Sequence, residues 1–316
     1  MTEKAYIREV GLRDGLQLVK DFVATDRKLA WCRASVAAGI QEAEITSFVP
    51  AKIVPQFADA EDVAKGALAL DEARNGSFVP AALVPNLKGA ERAMALGMPK
   101  INYVMSVSEE HNLANVRRSV ADSVEDFGRI VSLRDQQAAG SVRVAAGIAT
   151  AFGCTISGAV SEKRVLKLAE TLLEMGADEL IVADTVGYGN PAQVRRILGA
   201  IVKVAGSVPV AAHFHDTRGL GLANVVGALD AGVRRFDASL GGLGGCPFAP
   251  GATGNINTED CAFLLESMGF DTGLDIEALV SWRREVETWL PGERFAGAME
   301  RAGLPKSFRQ PIDLVA

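Results

Sequence analysis

Short apolar runs alternate along the chain with longer segments whose apolar positions recur at the helical period. The strand candidates are Tyr6–Val10, Ala43–Phe48, Phe78–Val84, Lys100–Ser106, Arg143–Thr150, Glu179–Asp184, Pro209–Asp216 and Arg235–Gly241. Helix-period segments lie between them, among them Arg27–Ala38, Val120–Leu133, Glu162–Met175, Ala192–Ala205 and Leu222–Ala231. Gly39, Gly97, Gly176 and Gly232 stand where left-handed turns would end helices. Strands that alternate with helices predict parallel βαβ units, and eight in roughly 250 residues predict a (β/α)8 TIM barrel. A doubly wound sheet would want G-x-G-x-x-G after the first strand, and Gly11-Leu12-Arg13-Asp14-Gly15 is not that pattern. Residues 1–316 are therefore expected to form a single domain, with the barrel over about 5–260 and a C-terminal helical extension over about 261–316.

Composition narrows the function. The 316 residues are 48% hydrophobic and 23% charged, and 33 basic against 39 acidic side chains give a net charge of −6. The basic residues are scattered, which argues against nucleic acid as a partner. Lys and Arg interrupt every apolar stretch before the ~18 residues a membrane span needs. Met1-Thr2-Glu3-Lys4 has no apolar signal core, so a cytoplasmic location is expected. Cys32, Cys154, Cys246 and Cys261 form no C-x-x-C pair and read as free thiols.

A barrel places its chemistry at the C-terminal ends of its strands. Strand seven ends there with His213-Phe214-His215, whose spacing sets both imidazoles on one strand face, where they could share a metal ion. Alternatively, they are strand-end histidines bonded to backbone. Strand one leads to Arg13 and Asp14, which could supply a guanidinium for a developing oxyanion and a carboxylate ligand, or a solvated ion pair. After strand eight, Gly241 to Asn255 is dense in glycine, as a mobile lid would be. Cys246 on that loop is a candidate acid or base and Asn255 a candidate fourth ligand. Glu44 and Asp184 sit inside apolar strands, which demands a metal, a histidine to orient, or an ion pair. Asp260 could serve the site or start a helix.

Six segments together resemble the 3-hydroxy-3-methylglutaryl-CoA lyase family. They are Gly11-Leu12-Arg13-Asp14-Gly15-Leu16-Gln17, Thr46-Ser47-Phe48-Val49, Pro85-Asn86-Leu87-Lys88-Gly89, His213-Phe214-His215-Asp216-Thr217, Gly242-Leu243-Gly244-Gly245-Cys246-Pro247 and Thr258-Glu259-Asp260. The resemblance implies Mg2+ or Mn2+ held by Asp14, His213, His215 and Asn255, with Arg13 stabilising a thioester enolate and Cys246 moving a proton. It gives Glu44 and Asp184 supporting roles, places Gln17, Gly244, Gly245 and Asp260 beside the substrate, and implies a small-molecule acyl-CoA as partner and a homodimer. The implied reaction is retro-Claisen cleavage to acetyl-CoA and acetoacetate.

The chain departs from the family pattern at Leu18-Val19, at Arg218-Gly219-Leu220-Gly221-Leu222 and at His111. These positions leave the metal set intact but lie where acyl substituents or the CoA arm could bind, so a citramalyl-type thioester is an alternative substrate. A condensing acyltransferase is a further alternative, disfavoured by Cys246. A zinc hydrolase would need more histidines, a non-haem iron oxygenase would leave Arg13 and Cys246 idle, and a non-catalytic barrel would bind no metal.

Overall fold

The computed structural model describes residues 2–137, 142–245 and 254–308. Eight parallel strands close into a barrel in sequence order: β1 (Tyr6–Glu9), β2 (Glu42–Ser47), β3 (Val79–Val84), β4 (Lys100–Ser106), β5 (Arg143–Ala149), β6 (Glu179–Asp184), β7 (Val210–Phe214) and β8 (Arg235–Ala238). Each predicted strand is present; β4 and β6 keep their predicted bounds, β1, β5 and β8 end earlier, β3 starts one residue later, β7 is shorter at both ends, and β2 is shifted by one residue toward the N-terminus. The helices that follow them in turn are α1 (Thr25–Ala37), α2 (Ala60–Leu68), α3 (Leu87–Ala95), α4 (Val120–Gln136), α5 (Glu162–Glu174), α6 (Pro191–Ala205), α7 (Gly221–Asp230) and α8 (Thr258–Ser267).

Local sequence explains these elements. In α5, Val165, Leu168, Ala169 and Leu172 recur on one face and are buried, each large aliphatic contributing about 1.5–3 kcal/mol. A capping box between Ser119 and Asp122 starts α4. Asn190 caps α6, with Pro191 in the first turn where no amide donor is missed. The strands read as continuous apolar runs because both faces are covered. Val144, Ala146, Ile148, Leu180, Val182, Ala212, Phe214 and Phe236 belong to the main core, whereas Ala145, Ile181 and Ala211 form a small separate cluster.

Below that cluster the barrel interior is charged. Arg8, Lys100, Glu179 and Asp237 are buried and Glu42 nearly so. Arg8 pairs in register with Glu42 on one side and Asp237 on the other. Its guanidinium bonds Glu42 (2.9 Å), Glu179 (3.1 Å) and Asp237 (2.8 Å), while Lys100 bridges the two glutamates at 2.5 and 2.6 Å. Burial pushes the Glu42 carboxyl up, but Arg8 and Lys100 outweigh it and bring it to about 2.

The segment expected as an extension begins with α8, which follows β8 and so belongs to the helical ring; the helix α9 (Ile276–Trp289) comes next. The chain between them returns to the N-terminus, where Ala5 donates to Asp271 O at 3.1 Å. Among the described residues no helix is long and apolar enough to cross a membrane.

Candidate active site

Beyond β1 the chain makes a single π-helical turn, Gly11–Gly15, an element the periodicity of the sequence does not predict. The amides of Arg13, Asp14 and Gly15 all reach back to Val10 O, at 3.1, 2.8 and 3.2 Å. Wide turns of this kind are frequent at functional sites. Gly11 is required for packing, since a Cβ there would stand 2.5 Å from Glu9 Oε1 and 2.6 Å from the Trp31 ring. Glu9 fastens the turn: its carboxylate accepts from Gly11 N (2.7 Å), Leu240 N (3.0 Å) and Thr258 Oγ1 (2.7 Å). The loops after β1 and β8 are thus tied to one buried side chain.

That turn aims Arg13 and Asp14 into the barrel mouth. Arg13 Nε donates to Glu44, and its Nη1 to Asp14 Oδ1 at 2.5 Å. The other Glu44 oxygen accepts from Asn102 Nδ2 at 2.9 Å. Glu44 therefore fixes the plane of the guanidinium and leaves Nη2 without a hydrogen bond among the described residues. Burial lowers the Arg13 pKa, yet Glu44 and Asp14 raise it further, so the charge is secure.

His213 lies on β7, and His215 lies just past the strand's end, bridged to Asn255. The two Nε2 atoms face each other at 3.0 Å, and Asp14 Oδ2 lies 3.6 Å from that of His215 and 4.0 Å from that of His213. All three residues are buried. Their separations are below twice a metal–oxygen or metal–nitrogen distance of about 2.1 Å, so one ion can reach all three. Burial raises the Asp14 carboxyl, but Arg13 and the two imidazoles hold it well below the usual carboxylate range. Burial lowers the His213 pKa, and Asp237, bonded to Nδ1 at 3.0 Å, more than offsets that. Asn255 Nδ2 donates to Asp14 Oδ2 (2.7 Å) and Leu243 O (3.1 Å), while its buried Oδ1 has no partner among the described residues. An orphaned amide oxygen beside a carboxylate and two imidazoles makes a mixed oxygen–nitrogen donor set that a divalent cation can take.

Gly244 closes over this group at φ +125°, with room for no side chain: a Cβ would stand 2.7 Å from Asn255 Nδ2 and 3.1 Å from Asp14 O. Gly245 follows and is half-buried; Cys246 lies outside the described residues. Asp184 ends β6, and its two oxygens accept from the amides of Tyr188 and Gly189, both at 2.9 Å. It shapes the loop after β6, and burial raises its pKa. Asp260 lies in the first turn of α8, whose N-cap is Asn257, and its oxygens accept from Ala298 N (2.7 Å) and Met299 N (2.8 Å), tying down the chain after α9. Gln17 is half-buried on a 3-10 turn directly after the π-turn.

Sequence reasoning passed over Asp237, Glu9 and Asn102. Asp237 carried the signal used for Glu44 and Asp184, a carboxylate between apolar neighbours, Phe236 and Ala238.

A closed (β/α)8 barrel with Arg13 beside an Asp/His/His cluster defines a class whose chemistry gathers at the mouth, and the chain belongs to the HMGL-like family, which matches residues 4–286. It is 41% identical over 285 residues to a hydroxymethylglutaryl-CoA lyase of Bacillus subtilis, covering 90% of this chain and 93% of the relative. It is 38% identical to the (R)-citramalyl-CoA lyase of Chloroflexus aurantiacus, covering 88% and 89%. Among solved structures, an HMG-CoA lyase from Acinetobacter baumannii, in complex with coenzyme A and 3-methylmalate, superposes with a TM-score of 0.89 at 38% identity, covering 98% of each chain.

Proposed function

We propose that this chain is a divalent-metal-dependent carbon–carbon lyase that cleaves 3-hydroxy-3-methylglutaryl-CoA to acetyl-CoA and acetoacetate. The observation that carries the reading is Arg13 held against Asp14, with His213, His215 and the orphaned Asn255 oxygen converging from the other side. The relatives supply the substrate class. Asp14, His213, His215 and Asn255 would hold the cation, Mg2+ or Mn2+; when bound, it would supply Lewis acidity that favours loss of the C3 hydroxyl proton to solvent water.

The rest is done by side chains of this protein. As the C2–C3 bond breaks, its electron pair moves onto the thioester carbonyl and C3 becomes the ketone of acetoacetate. Arg13 Nη2, the free edge of a guanidinium immobilised by Glu44 and Asp14, donates to the developing enolate oxygen. Because that edge is preorganised, it stabilises the enolate without reorienting. C2 then takes a proton to give the acetyl methyl group, a step we assign to the Cys246 thiol. Support comes from Gly244, which carries the chain past Asp14 and Asn255 two residues earlier. Gln17 and Gly245 are placed beside the acyl thioester on the same reading, and the enzyme is a cytoplasmic homodimer, which light scattering tests.

A citramalyl-CoA-type thioester is the second reading, favoured by the 38% identity to the Chloroflexus enzyme. Cleavage assays on both thioesters with the keto acid identified decide between them. The first reading expects acetoacetate; release of pyruvate alone would replace it with the second, and no cleavage of either would overturn both. Asp14→Ala or His213→Ala is expected to abolish turnover while circular dichroism stays native. Cys246→Ser is expected to lower kcat far more than cation affinity; near-full kcat would remove the thiol from the proton transfer.

A further inference from the structure

The charged interior of the barrel reaches the mouth through one side chain. Asp237 is 4% exposed and serves two partners with its two oxygens. Arg8 Nε donates to Oδ1 from below at 2.8 Å, with Nη2 in ion-pair contact at 2.6 Å but making no hydrogen bond among the described residues, and His213 Nδ1 lies 3.0 Å from Oδ2 above. Arg8 is held in turn by Glu42 and Glu179, which Lys100 bridges. A continuous line of contacts therefore runs from Lys100 to His213, and Arg8 is its middle member. One charge-assisted bond from Arg8 thus holds Oδ1 while the imidazole faces Oδ2. Rotation of Asp237 about its last bond would take Oδ2 away from the imidazole and Oδ1 away from Arg8 Nε, so the Arg8 bond opposes that rotation.

We propose that Arg8 is a positioning residue for the cation site. By locking Asp237, it holds His213 as the tautomer with its proton on Nδ1 and its Nε2 lone pair turned toward Asp14 and His215. Partners of this kind behind a metal-bound histidine typically change affinity 10–100-fold when removed. What distinguishes Arg8 is that it acts one side chain further back, from the interior of the barrel. The cost of holding so many charges there is otherwise unexplained, since apolar side chains would fill the same space without desolvation. The inference rests on Asp14, His213 and His215 being a cation site, and the experiment separates the two claims.

Mn2+ binding to the purified full chain is measured by electron paramagnetic resonance of the free ion, together with 15N chemical shifts of the His213 ring. The variants are Arg8→Met combined with Glu42→Gln, which keeps the interior charge balanced, Lys100→Met, and Asp237→Asn. Lys100→Met removes the other interior cation but touches neither Asp237 nor His213. Expected results are a loss of Mn2+ affinity of about 10–100-fold for the Arg8 double variant, with mixed tautomer signals at His213. Lys100→Met is expected to lower the melting temperature while keeping affinity within about threefold. Should the double variant not fold, Asp237→Asn serves instead: one of the two acceptor oxygens becomes an amide donor, which then faces the N–H of either Arg8 or His213, so the same affinity loss is expected. Equal effects from Lys100→Met and the Arg8 double variant, or affinity within about threefold of wild type in the Arg8 double variant or Asp237→Asn, would overturn the proposal. Failure of the wild-type protein to bind Mn2+ would instead overturn the metal reading beneath it.

Discussion

At the scale of single residues, the mouth of the barrel is organised by what lies behind each polar group. Arg13 is aimed by Glu44, Glu44 by Asn102, and His213 by Asp237. The front residues were legible in the sequence because they are polar side chains at the ends of apolar runs, with H-x-H spacing to mark a shared face. The supporting ones were less so. A buried carboxylate announces that it needs a partner, but barrel register decides which partner, and register is a property of the closed sheet rather than of any strand. Gly244 shows how little room remains. Gly244→Ala would push a methyl group into Asn255 and strain a backbone at φ +125°, at a cost of about 1–3 kcal/mol. The larger effect expected is on chemistry, because Asn255 shares a hydrogen bond with Asp14. A fall in kcat of about 100-fold for roughly 1 Å of displacement is the expectation, checked by steady-state kinetics beside a melting curve.

Secondary-structure elements were the most legible level. Periodicity placed all eight strands, since alternate burial of both faces leaves runs such as Leu180-Ile181-Val182 that few other elements would produce. It missed the π-turn at Gly11–Gly15 because an extra residue in one helical turn leaves no periodic trace. Asp260 was ambiguous for a related reason: an acidic residue in a first helical turn stabilises the helix whether or not it touches anything else. Its oxygens hold the amides of Ala298 and Met299, so Asp260→Ala is expected to loosen the chain that follows α9. Two lost bonds of about 1 kcal/mol each should accelerate amide exchange around residue 299 while KM stays unchanged. A rise in KM without faster exchange would return Asp260 to the substrate.

For the whole molecule, pH sets two opposing trends. Burial raises the Glu9 carboxyl to about 7 and Glu259 to about 8, although backbone and threonine donors partly offset this. Both groups keep their protons when folded and lose them near 4.5 when unfolded, so the folded state binds more protons across that interval. Their contribution is complete below about 4.5 and fades as pH rises toward 8. Glu42, lowered to about 2, acts in reverse: its contribution is present above 4.5 and lost as pH falls toward 2. Stability is therefore expected to peak in mildly acidic solution. Glu9→Gln, which keeps acceptors for Gly11 and Leu240, should flatten the decline between pH 5 and 8 in melting curves.

The tie between the first and last βα loops also governs the order of events during synthesis. Asp14 and Asn255 are 241 positions apart. A ribosome adding about 5–20 residues per second leaves roughly 10–50 s between them. For most of that interval the nascent chain holds Arg13 and Asp14 without the imidazoles, and until its end without the amide that completes the group. A cation held by this group would therefore be captured only once the last strand has docked, and its loading would report a finished barrel.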